Sequence, residues 1–158
     1  MSDPRRVLEA NERFAATFAH GELDRRPRRR LAVVTCMDAR IDPLASLGLE
    51  LGDANVLRNA GAAVTDDVLR SLAVAHALLG TEAALVVGHT ECGLHGASDD
   101  ALREALGAPP GARFLPFADL EESVRAGVRA IETCALLPAG FRAWGFVYDV
   151  RSGRLHAV

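Results

Sequence analysis

Apolar positions along this chain fall into two rhythms that take turns. Over 4–19, Val7, Leu8, Phe14, Ala15 and Phe18 recur at helical spacing and fall roughly on one face. Asp3 can cap that helix, Pro4 suits its first turn, and Gly21 can end it. The run 31–35, Leu-Ala-Val-Val-Thr, has no polar break, as expected of a strand buried in a parallel sheet. Segments 55–58 and 84–88 read as two more strands. Between them, 66–79 returns to the helical rhythm, with Val68, Leu69, Leu72, Ala75, His76 and Leu79 inward, acids at its start and Gly80 as its cap. A shorter helix over 99–106 precedes the break at Pro109, Pro110 and Gly111. Asp119 and Glu122 form a capping box that opens a helix with the stripe Leu120, Val124, Val128, Ile131 and Ala135, ended by Pro138 and Gly140. The tail, 143–158, alternates like a strand and turns at Arg151-Ser152-Gly153, so the chain ends in a strand or hairpin.

Strands alternating with helices predict an α/β fold: a mostly parallel central sheet flanked by helices, with an N-terminal helical arm. The length of 158 residues suits a single domain over 1–158, with 1–30 as helix and connector and 31–158 as the core. In such sheets ligands bind beyond the carboxyl ends of the strands, where the strand order reverses.

Composition narrows the function. Apolar runs are far shorter than the roughly 20 residues that span a bilayer. Met1-Ser2-Asp3-Pro4-Arg5-Arg6 is followed by no apolar stretch of the kind a secretory leader needs. Three cysteines make no disulfide framework, and the expected setting is a reducing cytoplasm. A net charge of −3 argues against wholesale nucleic-acid binding, and the arginines of 25–30, without interleaved aromatics, read as a solvated connector. All 18 basic residues are arginine, so Schiff-base and P-loop lysine chemistry are excluded.

Two segments directly after apolar runs carry the candidate chemistry: Cys36-Met37-Asp38-Ala39-Arg40 and His89-Thr90-Glu91-Cys92-Gly93. Two thiolates and an imidazole are a good donor set for zinc. His89 and Cys92, three residues apart, can aim at one ion, and Cys36 would join them from a neighbouring strand end. Three protein ligands leave a fourth tetrahedral position open, which is the pattern of a catalytic zinc. Cys134 lies on a helix and reads as a spare thiol. Two thiolates cancel the charge of Zn²⁺, so such a centre needs help to hold hydroxide. If the chain stays extended, Cys36, Asp38 and Arg40 point to one side. Arg40 can then hold Asp38 ionised, and Asp38 can accept the proton of zinc-bound hydroxide and orient it.

These two segments resemble the signature motifs of the β-class carbonic anhydrases, and Arg58-Asn59-Ala60-Gly61 resembles a third, the loop lining the pocket. The likeness continues through Thr65-Asp66-Asp67, Arg70-Ser71-Leu72 and Gly145-Phe146-Val147-Tyr148-Asp149-Val150 and covers the chain from about Leu31. It implies Zn²⁺ held by Cys36, His89 and Cys92, a catalytic pair Asp38 and Arg40, and pocket positions Gly61 and Gly93. The implied reaction is reversible hydration of carbon dioxide to bicarbonate and a proton. In some members the matching aspartate moves onto zinc and shuts the enzyme off. Members are usually homodimers or dimer-based oligomers, with the N-terminal helix packed over the partner. No nucleic-acid or membrane partner is implied.

The chain departs from the family at Ala39, where serine is common, at Glu91, where aspartate is common, and at Ala62-Ala63, where a second glycine is common. Val33 stands where members with a bicarbonate regulatory site carry tryptophan, so that site is not carried over. Arg58 is open between drawing bicarbonate into the pocket and binding a local carbonyl. His95 is either a proton relay or a simple hydrogen-bonded histidine. His76 reads as a core or interface histidine, Trp144 as a packing residue, and Leu57 and Val64 as candidate pocket lining. The remaining alternatives are a silent zinc-binding regulatory homologue, a zinc hydrolase of a small electrophile such as carbon disulfide, and a metal-free thiol hydrolase using Cys36 and His89.

Overall fold

The computed structural model describes residues 3–158; Met1 and Ser2, the start of the stretch read for a leader, lie outside the described residues. Four parallel strands, β1 (Leu31–Cys36), β2 (Ala54–Asn59), β3 (Ala83–His89) and β4 (Arg142–Tyr148), lie in the order β2-β1-β3-β4. The short β5 (Leu155–Ala157) closes the edge antiparallel to β4, pairing Tyr148 with Leu155. The expected mostly parallel α/β sheet with a C-terminal hairpin is therefore present. The chain leaves β1 for β2 on one side and returns to β3 on the other. The strand order reverses between β1 and β3, which places a crevice beyond their carboxyl ends.

Helices α3 (Asp66–Val74) and α5 (Leu120–Glu132) join one sheet face in the main core, where Val34, Leu72, Val86, Val124, Ile131 and Val147 are buried. Helix α5 comes unusually close because two glycines face it. A Cβ on Gly88 or on Gly145 would stand 2.7 Å from a methyl of Val124. Thr65 caps α3 and Asp119 caps α5, each accepting a backbone N–H three residues on. The helix read over 66–79 is α-helical only to Val74. It then widens into a π-turn over Ala75–Leu79 before the left-handed Gly80. Two short helices, α2 (Pro43–Ser46) and α4 (Asp99–Leu106), lie in the connections. Among the described residues, no helix is long and apolar enough to cross a membrane.

Three expectations need correction. Helix α1 (Pro4–Ala15) stops short of Ala19 and does not use Gly21 as its cap. Its last turn tightens instead, with the Thr17 amide and hydroxyl both donating to the Phe14 carbonyl at 3.1 and 3.2 Å. No residue of α1 is buried, and its apolar stripe is left largely exposed on the single chain. Trp144 is not a core residue. It alternates away from buried Ala143 and Gly145 onto the opposite sheet face and is 45% exposed. Ala135 lies beyond the end of α5 and is exposed.

Candidate metal centre

Strand β1 ends on Cys36 and strand β3 on His89, at the reversal of strand order. Cys92 follows on the turn after β3. One donor atom each from Cys36, His89 and Cys92 lies within 4.8 Å of the other two, and all three residues are buried. It is the one such cluster among the described residues. Around it Ile41, Leu94, Phe117 and Tyr148 form a small apolar shell, separate from the main core.

The polar contacts show what the cluster lacks. His89 Nδ1 sits 2.8 Å from the Thr90 carbonyl oxygen, which can only accept, so Nδ1 carries the proton. Nε2 is then a bare lone pair, buried, and without a hydrogen-bond partner. An orphaned buried acceptor costs about 1–3 kcal/mol unless something fills the position. Burial pushes the Cys92 thiol above its ordinary range, and the neighbouring Cys36 and Asp38 push in the same direction. A cation would reverse both penalties by accepting the Nε2 lone pair and stabilising the thiolates. The Gly61 amide donates to Cys36 Sγ at 3.4 Å, a contact that favours charge on that sulfur. Gly61 lies in the left-handed region at φ +76°, and a Cβ there would press on Leu94 at 3.0 Å.

Asp38 and Arg40 meet, though not along an extended strand. The chain turns after Met37: the Arg40 amide donates to Asp38 Oδ1 at 2.9 Å and the Ile41 amide to the Asp38 carbonyl at 3.1 Å. That turn lets the Arg40 guanidinium grip the same carboxylate, Nε to Oδ1 at 3.0 Å and Nη2 to Oδ2 at 2.8 Å. The Arg40 side chain thereby holds the Asp38 carboxyl well below the usual carboxylate range. Asp38 Oδ2 is 3.9 Å from His89 Nε2, so the pair stands at the edge of the metal cluster.

A cavity of about 420 Å³ opens over this edge. Cys36, Asp38 and Cys92 line it together with apolar Met37, Ala60 and Leu94. Gly61 and Gly93 also border it, at the positions expected for pocket glycines.

With this geometry in hand, the chain can be compared with known proteins. A carbonic anhydrase family model matches residues 31–110. β-Carbonic anhydrase 1 of Mycobacterium tuberculosis is 40% identical over 155 residues, spanning 96% of this chain and 94% of the relative. The chain belongs to the β-carbonic anhydrase family. A crystal structure of carbonic anhydrase from Streptococcus mutans superposes with a TM-score of 0.91 at 39% identity, over 100% of this chain and 98% of that one. A carbon disulfide hydrolase of an Acidianus species is also similar, 32% identical over 80% of this chain and 76% of its own.

Other residues in this β-carbonic anhydrase fold stand outside the cavity lining. Arg58 is not among the lining residues; its Nε donates to the Cys36 carbonyl at 2.9 Å and its Nη2 to the Asp38 carbonyl at 2.7 Å. It braces the backbone under the site. Leu57 and Val64 pack on the main core. His95 stacks on Phe117, with Nε2 3.1 Å from the Ala118 carbonyl oxygen. His76 Nδ1 lies 2.8 Å from the Thr81 carbonyl, and its ring meets Phe141 edge-on. Cys134 packs, half-buried, against the main core. Sequence reasoning missed two partners of the site. One is the Gly61 amide on sulfur, which no side-chain pattern encodes. The other is Glu91, which reaches Arg40 Nη1 at 3.2 Å. The clues were its place next to Cys92 and a glutamate where aspartate is common.

Proposed function

We propose that the chain is a zinc carbonic anhydrase, a single domain over 1–158 that interconverts carbon dioxide and water with bicarbonate and a proton. The observation that carries this reading is the orphaned His89 Nε2, buried between Cys36 and Cys92 and beside the Asp38–Arg40 pair. Cys36, His89 and Cys92 would hold Zn²⁺ and leave one tetrahedral position open. Zinc, when bound, supplies the Lewis acidity that makes water a nucleophile near neutral pH.

The chain's own residues supply the rest. Thr90 fixes the His89 tautomer through its carbonyl, and Gly61 supports the Cys36 thiolate through its amide. Arg40 keeps Asp38 ionised. Asp38 accepts a hydrogen bond from the nucleophilic water and so sets which lone pair faces the substrate carbon. Met37, Ala60 and Leu94 suit a small uncharged substrate and give a product anion little to hold it. The proton leaves to buffer.

The reading extends to assembly, as a homodimer or dimer-based oligomer working in the cytoplasm. Val7, Leu8 and Phe14 on α1, with Phe18 just beyond it, leave an apolar stripe 46–65% exposed on the single chain. The resemblance that puts this helix over a partner subunit accounts for it, and light scattering on the purified protein checks it.

Zinc analysis with stopped-flow carbon dioxide hydration across pH tests the function. The expected result is one zinc per chain and turnover that rises with pH and disappears on chelation. Full zinc with no turnover in alkaline buffer would replace this reading with the silent homologue. The similarity to a carbon disulfide hydrolase supports running carbon disulfide beside carbon dioxide. Faster turnover of the disulfide would move the assignment to that substrate.

A further inference from the structure

Glu91 occupies an uncommon backbone position. Its φ is +57°, in the left-handed region that a non-glycine residue rarely enters and keeps only where its surroundings hold it there. The conformation lets one residue make three charge-assisted contacts. Its carboxylate accepts from Arg40 Nη1 at 3.2 Å on one oxygen and from Arg151 Nε on the other, while its carbonyl accepts from Arg40 Nη2 at 3.3 Å.

The backbone of Arg151 is itself fixed, while its side chain is 81% exposed. It lies in the turn between β4 and β5, where Asp149 Oδ1 accepts the Arg151 and Ser152 amides at 2.8 and 2.9 Å. The same turn is fastened to the loop after β3. The Val150 amide donates to Thr90 Oγ1 at 3.1 Å, and the Thr90 amide to the Tyr148 carbonyl at 3.0 Å. Asp38, Arg40, Glu91 and Arg151 thus form a chain of alternating charge from the cavity to the C-terminal hairpin.

We propose that Glu91 is a positioning residue: it holds Arg40, and through it Asp38, against the cavity, with Arg151 of the hairpin turn as its anchor. The physical need is plain from exposure. The Arg40 side chain is 46% exposed, and an exposed arginine–carboxylate pair with no further tether is worth little and is free to swing as a unit into water. A planar guanidinium gripped by Asp38 on one edge and Glu91 on the other has one orientation left. The proposal rests on the carbonic anhydrase reading for its kinetic consequence, but not for its geometry.

The test compares zinc-loaded Glu91→Ala, Glu91→Gln, Glu91→Asp and Arg151→Ala with the parent protein, with Arg154→Ala as a hairpin control that keeps full activity. A misplaced catalytic group costs kcat/KM steeply, so the expected losses are about tenfold for Glu91→Ala and about threefold for Arg151→Ala, with Glu91→Asp recovering part of the loss. Zinc content stays at one per chain. In an Arg40→Ala background, Glu91→Ala adds no further loss, because its effect passes through Arg40. Independently of activity, the Arg40 Nε–H resonance, assigned by its disappearance in Arg40→Ala, is resolved in the parent and joins the solvent-averaged arginine signals in Glu91→Ala. If Glu91→Ala fails to fold, Glu91→Gln answers the same questions with the shape preserved. A kcat/KM within about twofold of the parent overturns the proposal, and so does a full additive loss in the Arg40→Ala background. An unmoved Arg40 resonance does the same. Should the parent protein hydrate no carbon dioxide, the functional reading fails, and the resonance still decides whether Glu91 positions Arg40.

Discussion

Two clusters of acids and arginines stand at opposite edges of one sheet. At the amino edge, just before β1 and β2, Asp53 accepts from Arg28 Nε at 2.8 Å, Arg29 Nε at 3.2 Å and the Glu50 amide at 3.0 Å. At the carboxyl edge, Asp38 is gripped by Arg40, which Glu91 grips in turn. The residue types are the same and both carboxyls are held below their ordinary range. The surroundings differ. Asp53 spends both oxygens on tying the connector to a loop, and no orphaned atom stands near it. Asp38 lines a cavity and lies 3.9 Å from a buried nitrogen without a partner. A depressed carboxyl therefore does not mark a site by itself; the unfilled neighbour does.

The sharpest way to break this contrast is to remove the donors proposed to hold the metal. Cys36→Ser should lose zinc and essentially all turnover, measurable by metal analysis and stopped-flow hydration. Retained hydration without metal would instead support a thiol enzyme. Next in size is Asp38→Asn. It should keep one zinc per chain and lose about 10²-fold or more in kcat/KM, as removal of one group that orients the nucleophile does. If zinc is lost with it, Asp38 belongs to the metal cluster and the distinction between ligand and orienting residue fails.

The same contrast explains what could be read in advance. The apolar runs gave the strands within a residue or two; β1 and β3, buried on both faces, have almost no polar positions to confuse the reading. Cys36, His89 and Cys92 were legible because donor chemistry and strand-end placement coincide. The Asp38–Arg40 pair was expected from the period-two logic of a strand, yet it forms in a turn; proximity in sequence gave the right pair by a different geometry. The first helix was read past its end at Ala15 because Phe18 continues the helical spacing, and Trp144 was misread as packed. Amphipathic spacing shows that a stripe exists but not whether its own chain covers it. Glu91 escaped because its role depends on a left-handed backbone and on Arg151, 60 residues away in sequence.

At the amino edge the expected effect is on stability alone. Asp53→Asn keeps the shape, removes the charge and leaves Arg28 and Arg29 beside a neutral amide. A fall in Tm of roughly 5 °C with kcat/KM within about twofold of the parent is expected. The acid side of the same experiment has a fixed sign. The Asp53 carboxyl is lowered in the folded protein, first by the Glu50 amide and then by Arg28. Its stabilisation is therefore present above the unfolded carboxyl value, near 3.8, and is lost as pH falls through the lower folded value. The Tm difference between parent and Asp53→Asn should accordingly be constant near neutral pH and shrink only below about pH 4. A loss of activity at neutral pH would mean that the amino edge also shapes the site.

The smallest effect is expected where the carboxyl edge can be altered without touching a charge. Ala62 follows Gly61 in the loop beneath Cys36, buried and left-handed at φ +56°. Ala62→Gly relieves backbone strain of roughly 1–2 kcal/mol. It gives back about 0.5–1 kcal/mol as unfolded-state entropy. Loss of a buried methyl costs up to about 0.8 kcal/mol more. These terms nearly cancel, so Tm should move by no more than about 2 °C, with zinc content unchanged. A clear rise would show that strain outweighs packing in this loop. A clear fall, together with weakened zinc binding, would show that the Ala62 methyl holds Gly61 in place to donate to Cys36. That would extend the functional edge of the sheet by one residue.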